Sequence, residues 1–286
     1  MAAVSGDGFP GRIRTLDVGD MHALLELSRD RGWKNGEAMW RLVLEVGDGF
    51  GINASDGGLA GAVILTRYSP GLAVIGMLLV ASRHGRRGLG HQLVCHALAQ
   101  VPDHLVYLHA SLQGRPLYER LGFHVTGTVS RHIGVYQSAA PGISAGVRDP
   151  VPADRAEVLR LDRAVFGADR AAVLTALAAT AGQVLVAEDH RGLVGHAAAW
   201  HDAGMLIIGP VVARDDTTAQ ALIHALAVGA REPVRLDLSS RFSGLSRWAC
   251  GQGLVPSTPD PVMAYLGQQL PGARGQLYAL VMPALG

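Results

Sequence analysis

Cysteine is nearly absent from this 286-residue chain: Cys95 and Cys250 stand far apart, with no CxxC and no paired ligand spacing. That excludes a disulfide scaffold and a cysteine-built metal site, and no metal is expected. Lysine occurs once, at Lys34, and 25 basic residues balance 24 acidic ones to leave a formal charge of +1. Such a balance leaves no footprint for nucleic acid or an anionic membrane. Long apolar runs are missing too. Leu72 to Ala81, with Gly76 inside it, is too short to cross a bilayer. Met1 to Gly8 has neither a basic n-region nor an apolar h-region, so the expected location is cytoplasmic. Hydrophobic residues, by contrast, make up 49% against 17% charged, which excludes a disordered or coiled-coil chain. The length suits two ordinary domains.

The sequence repeats itself. Gly58-Leu-Ala-Gly-Ala-Val-Ile-Leu is echoed from Gly192, Ile75-Gly-Met-Leu-Leu-Val-Ala from Ile208, and Tyr118-Glu-Arg-Leu-Gly-Phe more loosely from Ala249. The three echoes come in order and at offsets of 134, 133 and 131 residues, which points to two homologous domains. Turn residues between Ser138 and Pro152 place the join there, giving domains 1–140 and 141–286.

Each copy alternates strands and helices. In the first, Arg12 to Leu16 reads as a strand and Asp17 as the cap of a helix carrying Met21, Leu24, Leu25 and Leu27. Glu37 to Val46 reads as a second helix. Phe50–Ala54, Leu59–Tyr68 and Leu72–Ala81 follow as strands joined by turn residues. Leu89, Leu93, Val94, Ala97 and Leu98 share a helix face that Pro102 ends. Leu105–Ser111 (strand), Arg115–Leu121 (helix) and Phe123–Val129 (strand) complete a mixed α/β domain, and the second copy repeats the plan from about Asp154.

The sharpest local signal is the strand Met77-Leu-Leu-Val-Ala running through Ser-Arg-His-Gly85-Arg86-Arg87-Gly88-Leu89-Gly90 into a helix. Such a turn presents free N–H groups and the positive end of the helix dipole to an anion, with glycines allowing close approach. Alone, it reads equally as an ordinary turn with solvated arginines. It is neither a P-loop nor a dinucleotide fingerprint.

This loop, the helix after it, the strand Leu105–Ser111 and Gly114-Arg-Pro-Leu-Tyr118-Glu-Arg-Leu-Gly-Phe123 together resemble the GNAT superfamily of acyl-CoA-dependent N-acyltransferases. The resemblance covers Arg12 to Tyr136 and, more weakly, the second half, as in tandem members. It implies two GNAT-fold domains, each a mixed, mostly antiparallel sheet flanked by helices. It departs from the family signature at Gly85, where the family carries Arg or Gln, and Arg83, Arg86 or Arg87 would have to substitute.

The resemblance also implies positions. The pantetheine arm of coenzyme A would pair with the backbone of Leu78, Leu79 and Val80, and its pyrophosphate would rest on Gly85, Arg86, Arg87, Gly88, Leu89, Gly90 and His91. The thioester would lie where the strands Leu72–Ala81 and Leu105–Ser111 splay apart. Tyr118 would protonate the departing thiolate. The strand Leu72–Ala81 holds no Glu or Asp, where many members keep a base, so His109 is the candidate base, with a structural role as its alternative. Trp33, Lys34, Asn35 and Tyr68 could wall an acceptor.

At the matching loop the second copy reads Val211-Val-Ala-Arg-Asp215-Asp216-Thr-Thr-Ala, with no glycine and two carboxylates, and Ala249 replaces the tyrosine. It is therefore expected to be degenerate, supporting the first domain or lending His196, His201, Arg241 or Tyr278 to an acceptor pocket. The combined expectation is transfer of acetyl from acetyl-CoA to a small-molecule amine by a monomer with pseudo-dimeric domains or a homodimer. A protein lysine or N-terminal acetyltransferase and a non-catalytic CoA-binding module are the alternatives.

Overall fold

A computed structural model describes residues 11–34, 36–137, 146–180 and 182–286. The first half runs β1 (Ile13–Leu16), α1 (Met21–Asp30), α2 (Glu37–Val46), β2 (Asp48–Asn53), β3 (Leu59–Tyr68), β4 (Leu72–Val80), α3 (Leu89–Ala99), β5 (Leu105–His109), α4 (Arg115–Arg120) and β6 (Phe123–Gly134). The second repeats this order with β7 (Val147–Arg148), α5 (Arg155–Phe166), α6 (Ala171–Thr180), β8 (Gln183–Asp189), β9 (Gly192–Asp202), β10 (Met205–Ala213), α7 (Asp216–Ala227), β11 (Val234–Ser239), α8 (Ser243–Gly251), β12 (Val255–Pro256), β13 (Asp260–Tyr265) and β14 (Leu277–Ala279). Part of the expected join, residues 138–145, lies outside the described residues.

The repeat extends to its polar clasps. Asp17 accepts the Gly19 N–H at 2.7 Å, Asp20 accepts the Asp17 N–H, and Arg14 grips Asp20 at 2.6 and 2.9 Å. In the second half Asp154 accepts the Val151 N–H at 2.7 Å and Arg148 grips Asp154. Each clasp satisfies free N–H groups where the chain turns from its first strand into a helix.

A single sheet runs through both halves in the order β1-β2-β3-β4-β5-β13-β6-β11-β14-β10-β9-β8-β7, with β12 beside β6. The pairing at its middle is an exchange. β13 of the second half lies between β5 and β6, with Val262 opposite His109 and Asp260 opposite Val129. β6 of the first half pairs with β11, Arg131 standing opposite Asp237. This explains why β6 runs five residues past the predicted end at Val129: its extension, Ser130 to Gly134, is hydrogen-bonded to a strand of the other half.

Helices cover both faces. On one, Leu24 and Leu27 of α1 and Trp40 and Val43 of α2 share a core with Phe166 and Leu177 of α5 and α6. On the other, Leu93, Val94 and Ala97 of α3 pack with Tyr118 and Phe123. Among the described residues no helix is long and apolar enough to cross a membrane.

Candidate active site

Strands β4 and β5 are parallel partners only from Leu72–Val74 to Leu105–Tyr107. Beyond that the register with β3 slips between Ala62 and Ile64, and Met77 takes a φ of +51°. A bulge of this kind bends a strand away from its neighbour. The expected splay is therefore present, and the β5-facing edge of β4 from Ile75 to Val80 opens onto it. Leu78 and Val80 are partly exposed, whereas the Leu79 side chain is buried, so only its backbone faces the opening.

The loop beyond β4 leaves the start of α3 uncapped. Gly88, at φ +80°, precedes Leu89, and among the described residues no side chain accepts from the first helical N–H groups. Gly85, Arg86, Arg87, Gly88 and His91 are exposed around this terminus, with Gly90 half-buried. Arg83 makes a solvent-exposed bidentate pair with Asp56 at 2.8 and 3.0 Å, which a phosphate would have to replace.

The two candidate proton-handling residues lie on opposite faces of the sheet. Tyr118 packs on the α3 side, 7% exposed, edge-on to Phe123 at 5.9 Å between ring centroids. Burial pushes its phenol pKa upward, which keeps the proton on the oxygen. His109 ends β5 on the other face, with Nδ1 2.8 Å from the Pro283 carbonyl oxygen. A carbonyl only accepts, so Nδ1 carries the hydrogen and Nε2 keeps its lone pair. Burial lowers the imidazole pKa to about 4, the Pro283 contact offsetting part of the effect.

The sign of that shift gives a first expectation. The unfolded imidazole takes up a proton below its ordinary 6.5, while the folded one resists until about 4. Stability is therefore full above 6.5 and declines as pH falls toward 4. His109→Gln should flatten this part of a plot of melting temperature against pH; an identical slope in both proteins would show that the imidazole titrates normally.

A cavity of about 670 Å³ opens on the His109 side. Trp33, Lys34 and Met39 wall it from the helical side and Gly76, Met77, His109 and Ser111 from the splay. Asn35 lies outside the described residues. Tyr68 does not reach the cavity; its buried hydroxyl donates to the Leu285 carbonyl at 2.8 Å. The opposite wall comes from the second half: Ala203–Met205, Pro233, Arg235, Asp237, Asp260 and Met282–Ala284.

None of His196, His201, Arg241 and Tyr278 lines this cavity. His196 is buried beside Asp162, His201 bonds Glu232, and Tyr278 donates to Asp216. Sequence reasoning found Trp33, Lys34 and His109 but missed the second-half residues that line it. A signal existed in Val234-Arg-Leu-Asp-Leu, where Arg235 and Asp237 occupy one face of an otherwise apolar strand. They form a buried pair at 2.7 Å, and Arg131 reaches the same carboxylate at 3.3 Å.

The equivalent splay of the second half is filled. β10 and β11 are partners only at Leu206–Ile207 and Val234–Arg235. Beyond them β14 enters the gap, pairing Ala279 with both Val211 and Leu238. Asp215 caps α7 by accepting the Thr218 N–H at 2.8 Å, as its position suggests.

Two family models, each described as an acetyltransferase (GNAT) domain, match residues 37–136 and 158–279. The chain belongs to the GNAT acetyltransferase family. It is a tandem GNAT protein, and its relatives share that length. The Bacillus subtilis (strain 168) protein named uncharacterized N-acetyltransferase YitH is 28% identical over 267 residues, 92% of this chain and 94% of its own. A Pyrococcus horikoshii structure named as a candidate acetyltransferase superposes at a TM-score of 0.80, with 21% identity, over 100% of this chain and 99% of its own. A tandem GNAT protein from the clavulanic acid biosynthesis pathway matches at 0.61 and 14% identity, over 90% and 99%. At such identities the last two speak for the fold of this GNAT protein.

Proposed function

We propose that this GNAT acetyltransferase moves an acetyl group from acetyl-CoA to the primary amine of a small molecule, at one site in its first domain, residues 1–140. The observation that carries the reading is the contrast between the two splays. One is open, with an uncapped helix terminus at one end and a cavity at the other; its counterpart in residues 141–286 is occupied by β14.

In this reading the pantetheine arm lies along the open edge at Leu78, Leu79 and Val80. The pyrophosphate meets the N–H groups from Gly88 to His91, with Gly85, Arg86 and Arg87 around it. When bound, acetyl-CoA supplies the activated carbonyl. Tyr118 holds a proton on one side of the sheet for the sulfur that leaves. The amine approaches from the cavity on the other side, past His109 Nε2. Walls contributed by both domains suit a small acceptor better than a lysine on a folded protein.

Thiol release from acetyl-CoA, measured against a panel of primary amines, tests the reading; binding of acetyl-CoA without turnover of any amine would favour a CoA-binding module. Tyr118→Phe should lower kcat by about ten- to a thousandfold, the range for a positioned acid, with acetyl-CoA affinity unchanged because the ring remains. Wild-type turnover in that variant would remove the phenol from the mechanism.

A further inference from the structure

β4, the strand that forms one edge of the splay, contains no carboxylate, and His109, neutral down to about pH 4, is a weak acceptor for an ammonium proton. The exchanged strand β13 brings a carboxylate to the same face. Val262 stands opposite His109, and the Ala110 N–H donates to the Pro261 carbonyl at 2.9 Å, so β13 continues alongside β5 past its end. Side chains two residues apart on a strand share a face, which puts Asp260 beside Val262 on the His109 side. Both His109 and Asp260 line the cavity.

Asp260 differs from the other carboxylate there. Asp237 is held by Arg235 and Arg131, and its capacity is largely used. The Asp260 side chain makes no hydrogen bond or ion pair among the described residues, although it is only partly exposed. Burial raises its pKa, Arg131 opposing and Asp237 assisting the shift. A half-buried carboxylate without a partner carries an uncompensated desolvation cost that a cationic ligand would relieve.

We propose that Asp260, supplied by the second domain, is a catalytic residue of the first domain's site: it binds the acceptor's ammonium group and takes its first proton. This rests on the transfer reading above. The nitrogen of R–NH₃⁺ gives one proton to the Asp260 carboxylate, and its freed lone pair forms the C–N bond at the thioester carbonyl. As the adduct collapses the C–S bond breaks, the nitrogen loses a second proton to His109 Nε2, and the sulfur takes one from Tyr118. Solvent then restores all three side chains, with one proton released overall. Among the described residues, the charged and titratable groups that line the cavity with Asp260 are Arg131 on β6, Arg235 and Asp237 on β11, His109 on β5 and Lys34. Arg131 favours its ionised form, the form that accepts a proton.

The experiment compares wild type, Asp260→Asn and Asp260→Glu across pH, using the amine turned over fastest among the amino acids, their amides, putrescine and tyramine. Acetyl-CoA affinity and melting temperature are measured alongside. Asp260→Asn should bind acetyl-CoA normally yet lose about a hundredfold in kcat/KM at neutral pH, within the range for acid–base groups. The loss should shrink as pH rises and more of the amine is already neutral, and it should nearly vanish for an arylamine acceptor, which carries no ammonium proton. Asp260→Glu should keep the wild-type pH profile at reduced rate. A loss equal at every pH, equal for the arylamine, or absent altogether overturns the assignment, as does a glutamate variant that behaves like the asparagine one. Failure of the wild type to acetylate any amine while binding acetyl-CoA would instead defeat the transfer reading itself.

Discussion

Gly88→Glu is expected to abolish acetyl-CoA binding. Gly88 sits at φ +80° at the start of α3, with no atom within 4 Å of where a Cβ would be. A side chain therefore fits sterically, at a backbone cost of about 1 kcal/mol for leaving glycine in this conformation. Its carboxylate would occupy the helix terminus and place negative charge where the pyrophosphate approaches. Calorimetric titration of the wild type should find one acetyl-CoA site per chain, and of Gly88→Glu none. Asp215→Gly with Asp216→Gly should not create a second site, because β14 fills the cleft whatever the loop carries. Two sites in the wild type, or tight binding that survives Gly88→Glu, would place the cofactor in the wrong domain.

Arg170→Leu should be the most destabilising single change outside the apolar core. Arg170 and Asp162 are fully buried and joined by two hydrogen bonds of 2.8 Å. Burial alone would raise the Asp162 pKa, and Arg170 reverses that and holds it well below the carboxylate range. Removing the cation leaves a buried charge with only His196, 3.2 Å away, beside it. The expected loss is about 3–5 kcal/mol in a denaturant titration, with much of it recovered when Asp162→Leu is added. Activity should fall further than stability predicts. Arg170 also donates to the Gly286 carbonyl at 3.1 Å, and the segment it anchors carries the Pro283 carbonyl that orients His109. A single variant as stable as wild type would mean that the pair is not buried as described.

Local order was readable from the sequence wherever one copy's own pattern decided it. The strand–loop–helix from Met77 to Leu98 and the two carboxylates in place of the second loop were visible because each depends on neighbours a few residues away; Asp17 was read as the cap of α1 and instead caps the short 3₁₀ turn, Val18–Asp20, that leads into it. Contacts between the copies were not. Nothing within Phe123–Val129 signals that the strand continues in order to pair with β11. β14 is three residues long, too short to carry a period, and its role depends on the gap it enters. Asp260 lies between two prolines that read as a turn, and only its pairing beside β5 makes it a site residue. The pairing of Arg83 with Asp56, from the turn between two earlier strands, was hidden for the same reason.

The crossing of β6 and β13 sets what each domain is free to lose. The second domain has Asp215 and Asp216 in place of a glycine-rich loop and Ala249 in place of the tyrosine, and none of the three lines the first domain's cavity. Its strand β13 is different: it closes the first domain's sheet beside β5, and a first domain expressed alone would expose that edge as a template for aggregation. In the proposed reading, a change of substrate preference can therefore arise in a domain that does not hold the cofactor, because Arg235, Asp237 and Asp260 line the cavity. Two genes encoding the halves separately are expected to restore the proposed activity only by co-folding, each chain completing the other's sheet before the first half could bind acetyl-CoA.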